Sequence, residues 1–391
     1  MKQTEQLSLV GLRPQDQTYA AAIARAAAIL RSGGTVAFPT ETVYGLGANA
    51  LDAEAVAGIF RAKQRPSWDP LIVHVSSLAM MAEVVERFTG DAERLAARFW
   101  PGPLTLLLPR SSRVPDAVTA GRRLVGVRMP AHPVALALIE AAGVPIAAPS
   151  ANTFGCTSPT RARYVAQDLM GRIDAILDGG DTEHGLESTV VEPQPEPERE
   201  SESEGVPRGR VVLYRPGIVT VQQLQEVCHG EVSLYKPVNQ CEPAAKTTES
   251  TTAPEALPSP GVGIRHYAPR ARLELVAYED SASAQKAGSG QPHGRSQAEA
   301  LIQSIQAAEK AGERVGVLLP RDFAALPADC KAEVYDWGSW QHPEQLAQRL
   351  FAGLRELDAT GVSWIVCPLP PQAGVGLAIC DRLQKAARPK E

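Results

Sequence analysis

The chain has 391 residues, of which 44% are hydrophobic and 21% charged, with a formal net charge of -5. That length predicts two or three domains with substantial apolar cores. The acidic balance excludes a protein whose main task is gripping nucleic acid and leaves room only for brief or local RNA contact.

Taken in chain order, residues 18–32 (TYAAAIARAAAILRS) predict an amphipathic, alanine-rich helix that Gly33-Gly34 stops. Thr35 to Phe38 read as a buried strand running into PTETVYGLG, a turn rich in hydroxyls and glycine of the kind that faces a ligand. Alternation continues with a helix at 53–62, a strand at 71–75, a helix at 91–99 and strands at 104–108 and 125–128. A helix at 133–142 and a strand at 144–148 follow. Such mixing predicts an α/β fold with one main twisted sheet. Residues 193–209 (PQPEPERESESEGVPRG) read as a solvated loop inserted between strands. Residues 236–260 read as an interdomain linker, and GVGIRHYAP after it is too rich in aromatic and basic groups for a plain tether. A second α/β pattern follows. It has strands at 273–277, 314–319 and 364–366, helices at 297–311, 343–357 and 375–387, and a polar loop at 281–296. It predicts a small open sheet without G-x-G-x-x-G.

The six cysteines are scattered without a C-x-x-C pair, which argues for free thiols in a reducing compartment rather than a zinc site. The N-terminus lacks an apolar signal core, and no stretch reaches the ~18 apolar residues of a membrane span. The expected location is cytoplasmic, with no membrane partner.

Five clusters carry chemistry. Lys63 and Arg65 stand two residues apart, so on an extended backbone they would share a face suited to a polyphosphate. The plainer reading is a solvated basic surface. Ser150 and Asn152, after an apolar strand, offer neutral donors and acceptors, or else an ordinary polar turn. Arg128 inside an apolar strand needs an anionic partner, either a substrate carboxylate or an internal acid. GLESTV (185–190) and YRPG (214–217) complete the set.

In this order the motifs FPTETVYGLGANA, KQRPSWDPLIVHV, PGPLTLLLP, VGVRMPAHP, PIAAPSANTFGCTSPT, GLESTVVE, YRPG, SPGVGIRHYAP and GVGLAICDRLQKAA resemble the threonylcarbamoyl-AMP synthase family in its long, two-domain form. The resemblance implies a catalytic domain over 1–235, its mixed sheet curled around a basic cavity. It also implies a linker over 236–272 that folds back over the site, and a smaller Rossmann-like domain over 273–391. The implied reaction joins L-threonine, bicarbonate and ATP into L-threonylcarbamoyladenylate, releasing pyrophosphate, with Mg²⁺ arriving on ATP. The product would pass to the machinery that transfers threonylcarbamoyl to tRNA. By matching motif positions, Lys63, Arg65, Ser150 and Asn152 are implied as the catalytic set. Arg65, Asp69, Leu124, Asn152, Ser158, Thr160, Arg215 and Tyr267 are implied for ATP. Thr42, His74, Arg128, Ser150 and Ser188 are implied for threonine, with Arg128 on its carboxylate and Tyr267 as a lid. Asp69 departs from the family's usual asparagine, and near phosphates it must turn away or pair with Arg65. Cys156 reads as a bystander thiol, since no base is placed near it.

A different class of reading is a double-stranded RNA-binding or regulatory protein using the same basic cavity. The acidic total and the lack of an aromatic stacking platform count against it. A carbamoyltransferase of the hydrogenase-maturation kind would carry zinc-finger parts absent here. A silent paralogue would not be expected to keep Lys63, Arg65, Ser150 and Asn152 together.

Overall fold

The computed structural model describes residues 2–194, 210–228, 231–236, 257, 259, 265–277, 297–323 and 325–389. Most of the acidic insertion, most of the linker and the polar loop at 281–296 lie outside the described residues.

Among the described residues, eleven strands form one mixed sheet: β1 (Glu5–Ser8), β2 (Val36–Phe38), β3 (Gly45–Asn49), β4 (Ile72–His74), β5 (Leu104–Pro109), β6 (Leu124–Arg128), β7 (Ile146–Ala147), β8 (Ala175–Asp178), β9 (Thr189–Pro193), β10 (Arg210–Arg215) and β11 (Glu231–Leu234). Their spatial order is β1-β8-β2-β3-β7-β4-β6-β5-β9-β10-β11. The central strands are apolar and buried on both faces, as strands covered by helices must be. On one side the helix Gln17–Arg31 lays Ile23, Ala26, Ala27 and Leu30 against the helix Pro133–Ala142 and β2. Its many alanines let the two helices approach closely. The helix Ala53–Lys63 starts at Asp52, whose carboxylate accepts from the N–H groups of Glu54 and Ala55. It ends at Gln64, which takes the left-handed conformation (φ 55°).

Register places the chemistry. β4 runs parallel to β6 with His74 opposite Arg128, and antiparallel to β7 with His74 opposite Ile146. β5 runs parallel to β9 with Leu104 opposite Thr189, which sets Thr105 beside Ser188. An isolated bridge joins Gly45 to Ser150, so the PTETVYG and PSAN turns lie side by side.

The second sheet has four parallel strands, β12 (Arg272–Val276), β13 (Val315–Pro320), β14 (Glu333–Gly338) and β15 (Trp364–Pro368), in the order β12-β15-β13-β14. The helix Gln297–Lys310 covers one face through Leu301, Ile305 and Ala308. The helices Pro343–Ala359 and Val375–Ala386 cover the other, with Leu346, Leu350, Phe351, Ile379 and Leu383. The small Rossmann-like sheet expected from the sequence is present, and Gly374 opens its last helix as expected.

The two sheets meet along a tight junction. Val43 and Leu186 from the first pack in the same apolar cluster as Phe351 and Leu354 from the second. Gly185 has φ 71°, and a Cβ there would stand 2.5 Å from Cα of Gln348, so this turn can carry no side chain. Arg355 donates to the Thr157 carbonyl and pairs with Asp168 at 2.8 Å. Glu356 meets Arg161 and Arg163, each at 3.1 Å.

Several elements escaped the sequence pattern. β1 alternates half-exposed and exposed residues and shows no apolar signature. β8, β14 and the helix Ala162–Leu169 also lie outside the elements expected from the sequence.

Candidate active site

A cavity of about 50 Å³, measured as the space open to the centre of a water molecule, lies where the PTETVYG turn, the PSAN turn, β4, β6 and the GLEST and YRPG turns converge. Of the residues expected in the site, Arg65, Thr42, His74, Arg128, Ser150, Ser188, Arg215 and Tyr267 line it. Lys63, Asp69, Asn152 and Ser158 are buried just behind this lining.

Lys63 and Arg65 do not share an extended strand. Lys63 is the last residue of its helix, and the left-handed Gln64 redirects the backbone so that Arg65 faces the cavity. The Lys63 ammonium donates to the carbonyls of Ser150 (2.6 Å) and Asn152 (2.5 Å), tying helix end to PSAN turn. Burial, with Arg65 nearby, brings its pKa down to about 7. Ser150 and Asn152 part company. Ser150 lines the cavity, whereas the Asn152 amide donates to the carbonyls of Thr153 and Cys156. The Asn152 Oδ1 has no hydrogen-bond partner among the described residues.

Asp69 does pair with Arg65, at 2.9 Å, with both side chains almost wholly buried. Arg65 also donates to the carbonyls of Asp69 and Pro70. Burial works against both charges, raising the Asp69 pKa and lowering that of Arg65, and their contact is what opposes it. The acid at this position is turned onto its own arginine.

Arg128 has an internal carboxylate as well. Its guanidinium lies 2.5 Å from Glu41 Oε1 and donates to Thr42 Oγ1 at 2.9 Å and to the Gly102 carbonyl at 3.2 Å. Burial pushes the Glu41 carboxyl up, but Arg128 more than offsets this and holds it below the usual range. The arginine therefore carries an internal counter-charge while it lines the cavity. His74 is buried beside it, and desolvation with the Arg128 charge drops its pKa to about 3. It is a neutral imidazole whose Nδ1 has no hydrogen-bond partner among the described residues.

At the opposite wall Arg215 donates to the Ser188 carbonyl (3.0 Å) and hydroxyl (3.1 Å), and Thr105 Oγ1 lies 2.8 Å from the same hydroxyl. Gly217 is needed here, because a Cβ would stand 2.5 Å from the Thr189 nitrogen. Ser158 donates to Glu187, itself a lining residue. Tyr267 is 1% exposed, adopts φ 64°, stacks on Phe351 with centroids 5.7 Å apart and meets His266 edge-on. Its phenol is pushed up to about 12, chiefly by burial.

Two expected residues lie away from the cavity. Leu124 opens β6 at the end remote from Arg128 and pairs with Pro109. Thr160 lies on a separate surface groove with Arg161 and Glu356. The sequence reading did not assign Thr40, Glu41, Glu187 or His266 to the site, though all but Glu41 line the cavity and Glu41 is bound to Arg128. Glu41 had one signal, the need of a buried Arg128 for a counter-charge. Cys156 has its thiol pKa raised by burial, which disfavours thiolate chemistry.

The arrangement concentrates cations and neutral hydrogen-bonding groups around a small chamber. Such a chamber serves reactions between bound substrates that need charge neutralisation and alignment.

Comparison with known proteins identifies this architecture. A family model described as "Telomere recombination" matches residues 28–201, and one described as "Threonylcarbamoyl-AMP synthase, C-terminal domain" matches residues 219–388. Threonylcarbamoyl-AMP synthase of Pyrococcus abyssi is 41% identical over 362 residues, covering 93% of this chain and 93% of that protein. The Bacillus subtilis protein of the same name is 41% identical over 367 residues, covering 93% and 92%. The crystal structure of P. abyssi Sua5 complexed with L-threonine matches with a TM-score of 0.78 at 38% identity, covering 98% of this chain and 97% of that one.

Proposed function

The chain belongs to the threonylcarbamoyl-AMP synthase family, and from that premise we propose how its cavity divides the work. The enzyme makes L-threonylcarbamoyladenylate for the threonylcarbamoyladenosine modification of tRNA. At its finer class it acts as a nucleotidyltransferase. The threonine amine and bicarbonate give a carbamate and water. A carbamate oxygen then attacks the α-phosphorus of ATP, the bond to the β,γ-phosphates breaks, and pyrophosphate leaves.

One observation carries this reading: buried Arg65, Arg128 and Arg215 converge on one chamber with neutral Thr42, His74 and Ser188 between them. Arg128, braced by Glu41, takes the threonine carboxylate with the free edge of its guanidinium. Thr42, the neutral His74, Ser150 and Ser188 surround the rest of the amino acid. Lys63, Arg65 and Arg215 supply positive charge to the phosphates, with Asn152, Ser158 and Tyr267 framing the nucleotide. Mg²⁺ enters as part of the ATP substrate. Among the described residues no group of three or more His, Cys, Asp or Glu is placed to hold a metal ion. Tyr267 and the segment around it shield the carbamate, which loses CO₂ readily in water. We take 1–235 as the catalytic unit, 236–272 as the linker and 273–391 as the C-terminal unit. No helix among the described residues is long and apolar enough to cross a membrane. The adenylate is a mixed anhydride, so its consumer is a transferase acting on tRNA adenosine.

The test is pyrophosphate release by purified protein with ATP and Mg²⁺, omitting threonine or bicarbonate in turn, with mass detection of the adenylate. Release that requires both substrates is the expected result. Release indifferent to threonine would defeat the reading.

A further inference from the structure

The C-terminal unit sends one wholly buried cation toward the cavity. Arg382, on the helix Val375–Ala386, is 0% exposed. Its Nε donates to Glu187 Oε2 at 2.8 Å, and its Nη2 donates to the Pro216 carbonyl at 3.1 Å. Its Nη1 donates to Asp381 Oδ2 at 2.5 Å, and the guanidinium carbon lies 5.2 Å from the centre of the Tyr267 ring. Lys385, one turn on, pairs with the same Asp381 at 2.7 Å.

Its two partners on the first unit, Glu187 and Pro216, adjoin the site. Glu187 lines the cavity, precedes Ser188 and accepts from Ser158 through its other oxygen. Pro216 follows Arg215, which itself lines the cavity and donates to Ser188. Arg355 of the same unit donates to the Thr157 carbonyl, next to Ser158. Arg355 thus holds the Ser158 loop directly, and Arg382 reaches it through Glu187. A rigid planar guanidinium with several donors can hold the GLEST and YRPG turns at a fixed separation, which a lysine cannot. A buried pair used only for stability has no need to reach residues flanking two cavity groups, and burying it carries a desolvation cost.

We infer that Arg382 is a positioning residue for the reaction: through Glu187 and Pro216 it fixes the two turns that carry Ser188 and Arg215, and through Glu187 the loop that carries Ser158. This rests on the reading that the chamber binds ATP and threonine. It gives the C-terminal unit a part in building the active site.

The full-length chain tests it with Arg382→Lys and Arg382→Met. Steady-state kinetics would be run well below each melting temperature, with direct titration of ATP binding alongside. Arg382→Lys keeps the charge for Glu187 and drops the second contact, so kcat/KM for ATP is expected to fall about tenfold, the worth of one charge-assisted hydrogen bond. Arg382→Met is expected to fall about 100-fold, as for a misplaced catalytic constellation. Glu187→Gln combined with Arg382→Lys is expected to cost less than the product of the single effects. If Arg382→Met fails to fold, Arg382→Lys decides alone. Either variant keeping kcat/KM within about twofold of the parent while melting earlier would overturn the inference, because only stability would then depend on the residue. A parent chain with no threonine-dependent pyrophosphate release would defeat the functional reading instead. ATP titration then judges the inference: an affinity unchanged in Arg382→Lys overturns it, and a weakened affinity sustains it.

Discussion

The two sheets treat buried charge in opposite ways. The large sheet gathers Lys63, Arg65, Arg128 and Arg215 into its interior and sets Asp69 and Glu41 against two of them. The small sheet keeps its own core apolar, around Trp337, Phe351 and Leu350, and turns its buried cations Arg382 and Lys385 outward to the junction. The difference follows from what each sheet must leave open. A packed core gains most from apolar burial, whereas a chamber awaiting anions must hold desolvated cations in place beforehand. Internal carboxylates keep that state tolerable, because an unpaired buried charge costs several kcal/mol.

The largest expected effect strikes the pairing itself. Arg128→Met leaves Glu41 buried without its cation, and chemical denaturation should register a loss on the order of 3–5 kcal/mol. Adding Glu41→Met should restore most of that stability without restoring threonine binding. A single-variant loss below ~1 kcal/mol would mean the large sheet does not depend on its internal pairs.

Next comes Lys63, which like Arg215 has no carboxylate bonded to it among the described residues. Lys63→Ala should lower kcat by about 10²–10³, the usual loss on removing one preorganised electrostatic group. Because the Lys63 pKa stands at about 7, the free enzyme should lose the ammonium as pH rises through that value. The kcat/KM for ATP should fall accordingly, and Lys63→Arg should flatten that limb. A profile level from pH 6 to 9 in the parent would remove Lys63 from phosphate binding.

The threonine end should discriminate more weakly. A missing methyl is worth ~1–3 kcal/mol, so serine should react about 10–200-fold less efficiently than threonine in competition. Equal use of serine would mean the methyl meets no wall. The smallest effect concerns His74 under mild acid. Its folded pKa of about 3 lies below the ordinary 6.5, so its contribution to stability is complete above 6.5 and lost as pH falls toward 3. At pH 6 the loss should be under about 1 kcal/mol, and His74→Asn should make the acid slope shallower in a denaturation series.

Much of this was legible in the sequence because the cavity is built from turns whose residues are consecutive. PTETVYG, PSAN, GLEST and YRPG each bring their own lining group, so motif position and spatial position coincide. The extended-strand argument for Lys63 and Arg65 failed because helix propensity carried through Lys63 and a single left-handed residue then redirected the chain. For Asn152 the plainer polar-turn reading holds in part, because its amide serves the loop's own carbonyls. β1 was invisible because an edge strand half open to water carries no apolar alternation. Glu187 and Arg382 meet across 195 residues of sequence, and no local pattern announces such a pair.

The junction at Gly185 has a consequence for a chain cut within its linker. The close approach to Gln348, the Arg355 and Glu356 contacts and the Arg382 pair are all non-covalent and independent of the segment between the sheets. The two fragments would stay associated as a nicked complex. Dilution would separate them only as fast as those contacts let go.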